Sequence, residues 1–344
     1  MIIRSKAPLR LGMAGGGTDV APYSDIYGGA ILNATISMYA YATIIPRGDD
    51  KIRLHSLDKN EHIGYKKTPH LEINGALDLH KGVFNRVMKD YPPDEIPSFD
   101  LYTYVDAPPG SGLGTSSTLT VAILGAFAEW FQLPLGEYDM ASLAYKIERV
   151  DLNMAGGKQD QYAATFGGVN FMEFRQDNVI VNPLRIRSNY LNELAHNLVL
   201  YYTETSRLSS EIIEMQSSNV KDKKKDSIEA MHKLRDQAIM MKEALLKGRL
   251  DEIGEILDFG WRHKKNMASG ISNRHIDEIY QTAKEAGATG GKISGAGGGG
   301  FMIFYCPLMS RNNVIQALHE KYGGQAKRYD YVVEGLKTWS LNGK

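Results

Sequence analysis

The sequence predicts an α+β protein of two domains, and three observations carry this prediction. The chain has 344 residues, a length at which about two domains are expected. Alternating runs rich in Ile, Thr and Tyr, which favour strands, dominate the first half. Helical patterns dominate the second half, and the change of character comes near Asn182 and Pro183. We therefore predict one domain over residues 1–185 and a second over residues 186–344.

Composition excludes several classes of protein. Lys plus Arg number 40 and Asp plus Glu number 40, so the chain has no net charge and nothing points to nucleic acid or an anionic membrane as partner. Cys306 is the single cysteine, which excludes an internal disulfide and suits a reducing compartment. No apolar run is long enough for a signal core or a membrane span. These features predict a cytoplasmic protein and leave its oligomeric state open.

The chain begins with an extended segment from Ile2 that runs into a glycine-dense loop, Gly15–Gly17. Glycine lets another group approach the backbone closely, so we interpret this loop as a binding element. Asp19 then either hydrogen-bonds substrate hydroxyls or caps the next segment. Beyond it the pattern predicts strands in AILNATISMYAYATIIP, KIRLHSL and FDLYTYVDA, and a helix in HKGVFNRVMKDY.

A phosphate-binding loop is predicted directly after the third of these strands, in PPGSGLGTSS. Its glycines expose backbone N–H groups, and the helix pattern that follows adds unpaired N–H groups and the positive end of a dipole. A hydroxyl in the first turn can cap the helix or bind Mg²⁺. The alternative is a glycine-rich turn with a serine cap. The residues that we assign to nucleotide phosphates are Pro109, Gly110, Ser111, Gly112, Leu113, Gly114, Thr115, Ser116 and Ser117.

This loop differs from two common phosphate-binding motifs. No Gly-Lys-Ser/Thr follows its glycines, so it is not a P-loop. Thr115 stands where a dinucleotide-binding turn needs a third glycine. A later segment, Gly295-x-Gly297-x-x-Gly300, matches the dinucleotide pattern formally. A strand pattern follows it where a helix is required, so we reject that assignment as well.

The remaining elements follow the same signals. A helix through MASLAYKIERVDLNM is predicted to begin at Asp139 and to end at Gly156–Gly157. A short helix near Asp160 and the strand GGVNFMEF complete the first half. The second half is predicted to contain the strand NLVLYYT and helices in SIEAMHKLRDQAIMMKEALLKG, DEIGEILDFGWRHKKNM and HIDEIYQTAKEAG. It closes with a strand, a glycine loop and a strand in KISGAGGGGFMIFYC.

The three glycine loops, in APLRLGMAGGGTD, PPGSGLGTSS and KISGAGGGGF, together resemble the motifs of the GHMP kinase superfamily, which includes galactokinase, homoserine kinase and mevalonate kinase. The resemblance covers essentially the full length. It implies a ribosomal-S5-like N-terminal domain, a ferredoxin-like C-terminal GHMP domain and an active site in the cleft between them. ATP and Mg²⁺ are the cofactors that it implies, and a small sugar or sugar phosphate is the implied partner.

The resemblance also implies catalytic and metal-binding residues. Asp160 is similar to the family's catalytic aspartate, and Arg10 occupies the position of the basic residue that pairs with it or with the transferring phosphate. Glu148 resembles the Mg²⁺-ligating glutamate, partnered by the hydroxyl of Ser116. The segment Thr115–Ser117 replaces the usual Ser-Ser-Ala, which leaves open which hydroxyl meets the metal.

Phosphoryl transfer needs alignment and charge neutralisation more than covalent help. A carboxylate near a cation is a weak base but a good orienter, so Asp160 either accepts the proton of the attacking hydroxyl or positions it. Asp19 resembles the sugar-binding aspartate of galactokinase-type members, and Lys158 is a second cation that could share the role of Arg10. The other residues that we assign to the substrate are Gly16, Gly17, Thr18, Gly297 and Gly298.

Within the superfamily, LRLGMAGGGTDVAPYSDIYGG, GWRHKKNM and GATGGKISGAGGGGF resemble the sugar 1-kinases, above all the heptose 7-phosphate kinases, with fucokinases more distant. This implies phosphorylation of the anomeric C1 hydroxyl of D-glycero-D-manno-heptose 7-phosphate to the 1,7-bisphosphate, for nucleotide-activated heptose synthesis. The alternatives are a fucose- or galactose-type 1-kinase and a sugar- and ATP-binding regulator without catalysis. A 7-phosphate would need a cationic pocket, for which the candidates are Arg262, Lys264, Lys265 and Arg274.

Overall fold

The computed structural model describes residues 1–204 and 209–341 of the chain. Within these ranges the strands form two sheets, and the helices pack against them. This architecture confirms the predicted α+β class. None of the helices in these ranges combines the length and the apolar character that crossing a membrane requires.

The strands are β1 (Ile2–Ala14), β2 (Gly29–Pro46), β3 (Lys51–Ser56), β4 (Glu61–Lys66), β5 (Phe99–Val105), β6 (Val169–Phe174), β7 (Val179–Pro183), β8 (Leu198–Tyr202), β9 (Gly290–Ile293), β10 (Phe301–Tyr305), β11 (Gln325–Lys327) and β12 (Lys337–Leu341). The α-helices are α1 (Tyr23–Tyr27), α2 (Asp78–Asp90), α3 (Thr115–Phe131), α4 (Glu137–Lys146), α5 (Gln159–Phe166), α6 (Ser188–Asn197), α7 (Ser209–Lys221), α8 (Lys225–Lys247), α9 (Ile253–Lys264), α10 (Arg274–Glu285) and α11 (Ser310–Tyr322).

The first sheet has the strand order β12-β1-β2-β5-β3-β4, and β6 and β7 extend it from the other end of β2. The length of β2 makes this possible. Its first residues, Gly29–Ala34, pair with β6, and its last, Ala40–Pro46, pair with β5. The pairs in this sheet are antiparallel except that of β3 with β5. Helices α2 to α5 cover one face and enclose the main hydrophobic core.

Helix α3 explains why the run after the glycine loop is apolar throughout. Its residues from Ser117 to Phe127 are all buried, because the helix packs on β1 and β2 and is covered by α2, α4 and α5. A helix that is apolar all round is a buried helix. Its N-terminus, at Thr115, is thereby held at a fixed position against the first sheet.

The second sheet has the order β11-β8-β10-β9 and is antiparallel. Every residue of β10 is buried, because α9 packs on this sheet from one side and the cluster around Trp261, Met302 and Phe304 fills the space. The predicted order of strand, glycine loop and strand in KISGAGGGGFMIFYC is confirmed by β9 and β10.

The C-terminal strand returns to the first sheet. β12 pairs with β1, from Ile2 opposite Leu341 to Lys6 opposite Lys337, and Tyr331 forms a bridge with Ile36. The sequence prediction placed all residues after 185 in the second domain, and this segment departs from it. Pairing between strands more than 300 positions apart leaves no local pattern, so the sequence alone did not indicate it.

The helix that carries Glu148 also differs from the prediction. It begins at Glu137 rather than Asp139, and the Asp139 carboxylate accepts a hydrogen bond from the N–H of Gly136 at 3.2 Å. After Lys146 it continues as a π-helical turn, Ile147–Asp151, and stops well before Gly156. A π turn inserts an extra residue per turn and is frequent at functional sites.

Candidate active site

A cavity of about 550 Å³ lies where the three glycine loops come together. Both halves of the chain line it. The first half contributes Gly17, the loop after β5 and the segment before α5, and the second half contributes α7, the end of α9 and the third loop. The cavity therefore lies in the cleft between the halves.

The second and third glycine loops are in direct backbone contact. Gly112 has φ of +80°, and a Cβ there would lie 2.4 Å from the carbonyl oxygen of Ser294. The Ser294 hydroxyl donates to the Gly112 carbonyl at 2.8 Å, and the Phe301 N–H donates to the Ser111 carbonyl at 2.9 Å. Only glycine meets both requirements at position 112, the left-handed backbone and the close approach.

The N-terminus of α3 opens onto the cavity. Gly114, with φ of +79°, precedes the helix, and no side chain of the described residues caps it. Thr115, Ser116 and Ser117 of the first turn all line the cavity. Uncapped N–H groups and the positive dipole end make this turn suited to an anion.

Asp160 and Arg10 form an ion pair beside this turn. Arg10, 3% exposed, places Nε and Nη2 each 2.7 Å from Oδ1 of Asp160. Its Nη1 donates to the carbonyl of Gly112 at 2.6 Å. Asp160 lies in the first turn of α5, and its carboxylate is 3.1 Å from where a Cβ of Gly114 would be. The arginine thus ties the carboxylate to the glycine loop, and both line the cavity.

Glu148 is fully buried in the π turn and lines the same cavity. Burial raises the pKa of its carboxyl, and the guanidinium of Arg149 opposes this shift. Nε2 of Gln161 donates to Oε2 of this carboxylate and to the hydroxyl of Ser117. The other carboxylate oxygen, Oε1, has no hydrogen-bond partner among the described residues.

This donor set fits Mg²⁺. A buried carboxylate oxygen without a partner, next to serine hydroxyls on a cavity wall, offers the hard oxygen ligands that Mg²⁺ prefers. Ser117 is buried and shares the amide of Gln161 with Glu148, whereas Ser116 is exposed on the cavity side. The assignment of Ser116 as the metal ligand stays a prediction, and Ser117 is the second hydroxyl to be tested.

Asp19 is buried on the cavity wall. Its Oδ2 accepts a hydrogen bond from the N–H of Gln159 at 2.9 Å, so it caps α5, the helix of Asp160, and not the segment that follows it in sequence. A Cβ on Gly157 would lie 1.9 Å from the same oxygen. Burial raises the pKa of the Asp19 carboxyl.

Lys264 is a buried cation in the cavity. It ends α9, is 2% exposed, and its Nζ donates to the carbonyl of Gly295. The Nζ also lies 3.6 Å from the position that a Cβ of Gly16 would take. Burial lowers its pKa to about 8, and the charge of Arg10 adds to this effect.

The structure does not bring the other three phosphate candidates to the cavity. Arg262, Lys265 and Arg274 lie outside its lining. They are exposed on α9, directly after it and on α10, and they pair with Asp258, Asp277 and Glu278 respectively.

Lys158 and two glycines also lie elsewhere, against the prediction that they bind substrate. The Nζ of Lys158 donates to the carbonyls of Arg175 and Gln176, at 2.9 and 3.2 Å. Lys158 directly precedes α5, and side chains two positions apart at a helix start face different directions. Gly297 and Gly298 pack on Ile271, and Gly295 and Ala296 line the cavity instead. Thr18 is buried, and its hydroxyl donates to the carbonyls of Gly15 and Ala30.

Sequence reasoning missed part of the cavity wall. Gln216 of α7 donates to the carbonyl of Gly17 at 2.6 Å, and no local signal pointed to it. Gln159 lines the cavity with Oε1 buried and unpartnered among the described residues. Its position next to Asp160 was the one signal that could have identified it. The other lining residues that were not predicted include Arg149, Asn153, Met154, Ala155, Gly156, Gly157, Ile213 and Glu214.

Comparison of the chain with known proteins finds two matching family models. The GHMP kinases N terminal domain matches residues 78–168, and the GHMP kinases C terminal domain matches residues 241–324. The D-glycero-alpha-D-manno-heptose 7-phosphate kinase of Campylobacter jejuni is 47% identical over 98% of this chain and 99% of its own length. The L-fucokinase/L-fucose-1-P guanylyltransferase of Bacteroides fragilis is 27% identical over 88% of this chain but 34% of its own.

A solved structure is similar over the whole chain. It is that of a D-glycero-D-manno-heptose 1-phosphate kinase from Bacteroides thetaiotaomicron, with a TM-score of 0.84 and 46% identity. The match covers 99% of this chain and all of the other.

Proposed function

Since the chain belongs to the GHMP kinase family, we propose that it transfers the γ-phosphoryl group of ATP to the anomeric C1 hydroxyl of D-glycero-D-manno-heptose 7-phosphate. The observation that supports this substrate is the 47% identity, over nearly the whole of both chains, to a heptose 7-phosphate kinase. The family itself makes the chain a kinase, and ATP is the phosphoryl donor that such kinases use.

The residues divide between the two reactants. The phosphates of ATP lie against the loop 109–117 and the uncapped N-terminus of α3. Glu148 and a hydroxyl of Ser116 or Ser117 would hold Mg²⁺, which neutralises phosphate charge when it is bound. Arg10, whose guanidinium spans Asp160 and Gly112, offsets the negative charge that develops during transfer.

Asp160 receives the hydrogen bond of the attacking hydroxyl, which it orients and from which it accepts the proton. A carboxylate is a weaker base than an alkoxide. The anomeric hydroxyl is more acidic than an ordinary alcohol and suits a carboxylate base. Asp19, Gly17 and Lys264 line the wall against which we place the sugar ring, and Gly16 lies behind it, next to Lys264.

The test is a coupled assay of ATP consumption with Mg²⁺ and a panel of sugars: heptose 7-phosphate, heptose 1-phosphate, galactose and fucose. We expect turnover with heptose 7-phosphate and little with galactose or fucose, and NMR of the product shows a new phosphate on C1. Preference for fucose or galactose would contradict the substrate proposed here. Preference for heptose 1-phosphate would move the reaction to another carbon, and failure with every sugar would favour a regulator without catalysis.

A further inference from the structure

We propose that a second pocket beside the candidate active site binds the phosphate that the sugar already carries, with Arg149 and Lys221 as its cations. The inference rests on the proposed function. The pocket has a volume of about 430 Å³, and we call it the distal pocket. It lies between the segment Met154–Gly156 and helix α7.

The distal pocket is continuous with the active-site cavity. Val20, Arg149 and Gly156 line both, and so do Ile213 and Glu214 of α7. A ligand with its reacting end at Asp160 therefore reaches the distal pocket along a shared wall. Val20 follows Asp19 directly in sequence, so the pocket lies next to the side of the cavity to which the sugar ring is assigned.

Arg149 is built into this shared wall. A Cβ on Gly156 would lie 2.2 Å from its Nη2, so the guanidinium packs closely against the backbone of Gly156. Its hydrogen bonds to the carbonyls of Met154 and Gly157 are long, each 3.4 Å. The guanidinium has five N–H donors in a fork that matches phosphate. Because its contacts with the two carbonyl oxygens are long, it can form shorter and stronger hydrogen bonds with a bound anion.

Other groups around the pocket favour an anion. Lys221, the last residue of α7, is exposed at its edge and takes part in no ion pair with a described residue. The backbone N–H groups of Ala155 and Gly156 donate to no acceptor in the described part of the chain. Among the described lining residues, Glu214 is the single carboxylate. Two cations and one carboxylate give this described part of the lining a net charge of +1.

Lys264, a further cation in the active-site cavity, serves a different part of the substrate. It is buried between Gly16 and Gly295, and the charges of Arg10 and Asp19 act on it. That position is on the reacting side of the sugar, so we assign Lys264 to the ring and not to the distal phosphate.

The experiment compares kcat/KM for heptose 7-phosphate with kcat/KM for the same heptose without phosphate. The variants are Arg149→Met, Lys221→Met and the double variant. The matched control is Lys225→Met, which removes an exposed lysine charge outside the pocket lining. We expect the ratio of the two values to fall by about tenfold to a hundredfold in each single variant, through KM for the phosphorylated sugar, and to stay unchanged in the control.

The outcomes separate the inference from the proposed function. If the wild type prefers heptose 7-phosphate and the variants keep that preference, the distal pocket does not bind the phosphate, and the proposed function stands. Equal use of both sugars by the wild type would show that no phosphate subsite exists. Turnover of neither sugar would overturn the proposed function and the inference with it. Arg149 lies 3.9 Å from Glu148, so KM for ATP is measured in parallel to detect an effect of Arg149→Met on the nucleotide site. Lys221 is exposed and has no such contact, so Lys221→Met tests the distal pocket without it.

Discussion

Asp160 owes its environment to three residues from distant parts of the chain. Arg10 holds the carboxylate, Gly114 makes room for it, and Asp19 caps the first turn of its helix. At the scale of single residues, the candidate site is thus a set of charges whose positions are fixed by their neighbours before any substrate binds. Such preorganisation is what phosphoryl transfer requires.

We predict that Asp160→Asn lowers kcat by about a hundredfold or more, because the amide can neither accept the proton nor bind Arg10 as an ion. Steady-state kinetics with saturating ATP measure this. Asp177→Asn is the matched control, since Asp177 is exposed and outside the cavity lining. Activity of Asp160→Asn within a few-fold of wild type would show that the carboxylate is structural.

We predict that kcat/KM for the sugar phosphate falls as the pH rises through about 8. Burial lowers the pKa of Lys264 to about 8, so its ammonium group is present below that pH and lost above it. kcat/KM reports the free enzyme. The contribution of Lys264 to the free energy of unfolding moves the other way and rises from about pH 8 upwards, because the unfolded chain still holds the proton.

The control for this profile is Lys264→Arg, whose guanidinium stays charged through the range. Loss of the alkaline fall in that variant would confirm the assignment. The same alkaline fall in Lys264→Arg would assign it to another group.

We predict that Glu148→Gln raises the Mg²⁺ concentration for half-maximal activity by at least about tenfold. The neutral amide keeps the shape of the side chain but removes the charge and one oxygen ligand. Titration of activity with Mg²⁺ at constant ATP is the measurement. An unchanged Mg²⁺ requirement would mean that the orphaned oxygen of Glu148 does not face the metal.

At the scale of elements, the site depends on loops whose backbones touch. The second loop packs on the third through Gly112 and Ser294, and the first lies next to Lys264 at the end of α9. The π turn after α4 carries Glu148, and Glu148 lines the cavity wall. The sequence predicted that the helix would continue to Gly156–Gly157, so this turn was not expected. The glycine motifs were predicted as loops, but the contacts between them were not.

We predict that Gly112→Ala raises KM for ATP by more than about tenfold and lowers the free energy of unfolding by about 1–3 kcal/mol. The added methyl would lie 2.4 Å from the Ser294 carbonyl, in a left-handed backbone. Gly323→Ala is the matched control. Gly323 has the same φ of +80° with no atom within 4 Å of the added carbon, so that variant shows the backbone strain alone and leaves KM for ATP unchanged.

At the scale of the whole molecule, the last strand joins the end of the chain to its beginning. β12 covers the edge of β1, and Leu336 packs against Gly125 of α3. Because Arg10 lies on β1 and Thr115–Ser117 begin α3, the C-terminal strand supports the same two elements that form the phosphate site. An uncovered edge of β1 would expose unpaired N–H and C=O groups.

We predict that a chain ending at Gly335 has a melting temperature lower by about 5 °C or more, because it lacks the β12 ladder and the Leu336 contact. A chain ending at Leu341 is the control, since it keeps every described strand. Circular dichroism or calorimetry measures both. Equal melting temperatures for the two chains would contradict a supporting role for β12.

The sequence by itself determined the class of fold, the three glycine loops and the family resemblance, and family and class are confirmed. These features are local, since glycine spacing and hydrophobic periodicity are written in neighbouring residues. Tertiary structure alone decided which charges meet. It placed Lys264 in the cavity and Lys158 outside it, brought α7 over the first loop and returned β12 to β1. Such contacts join residues tens to hundreds of positions apart, and their geometry exists only once the chain has folded.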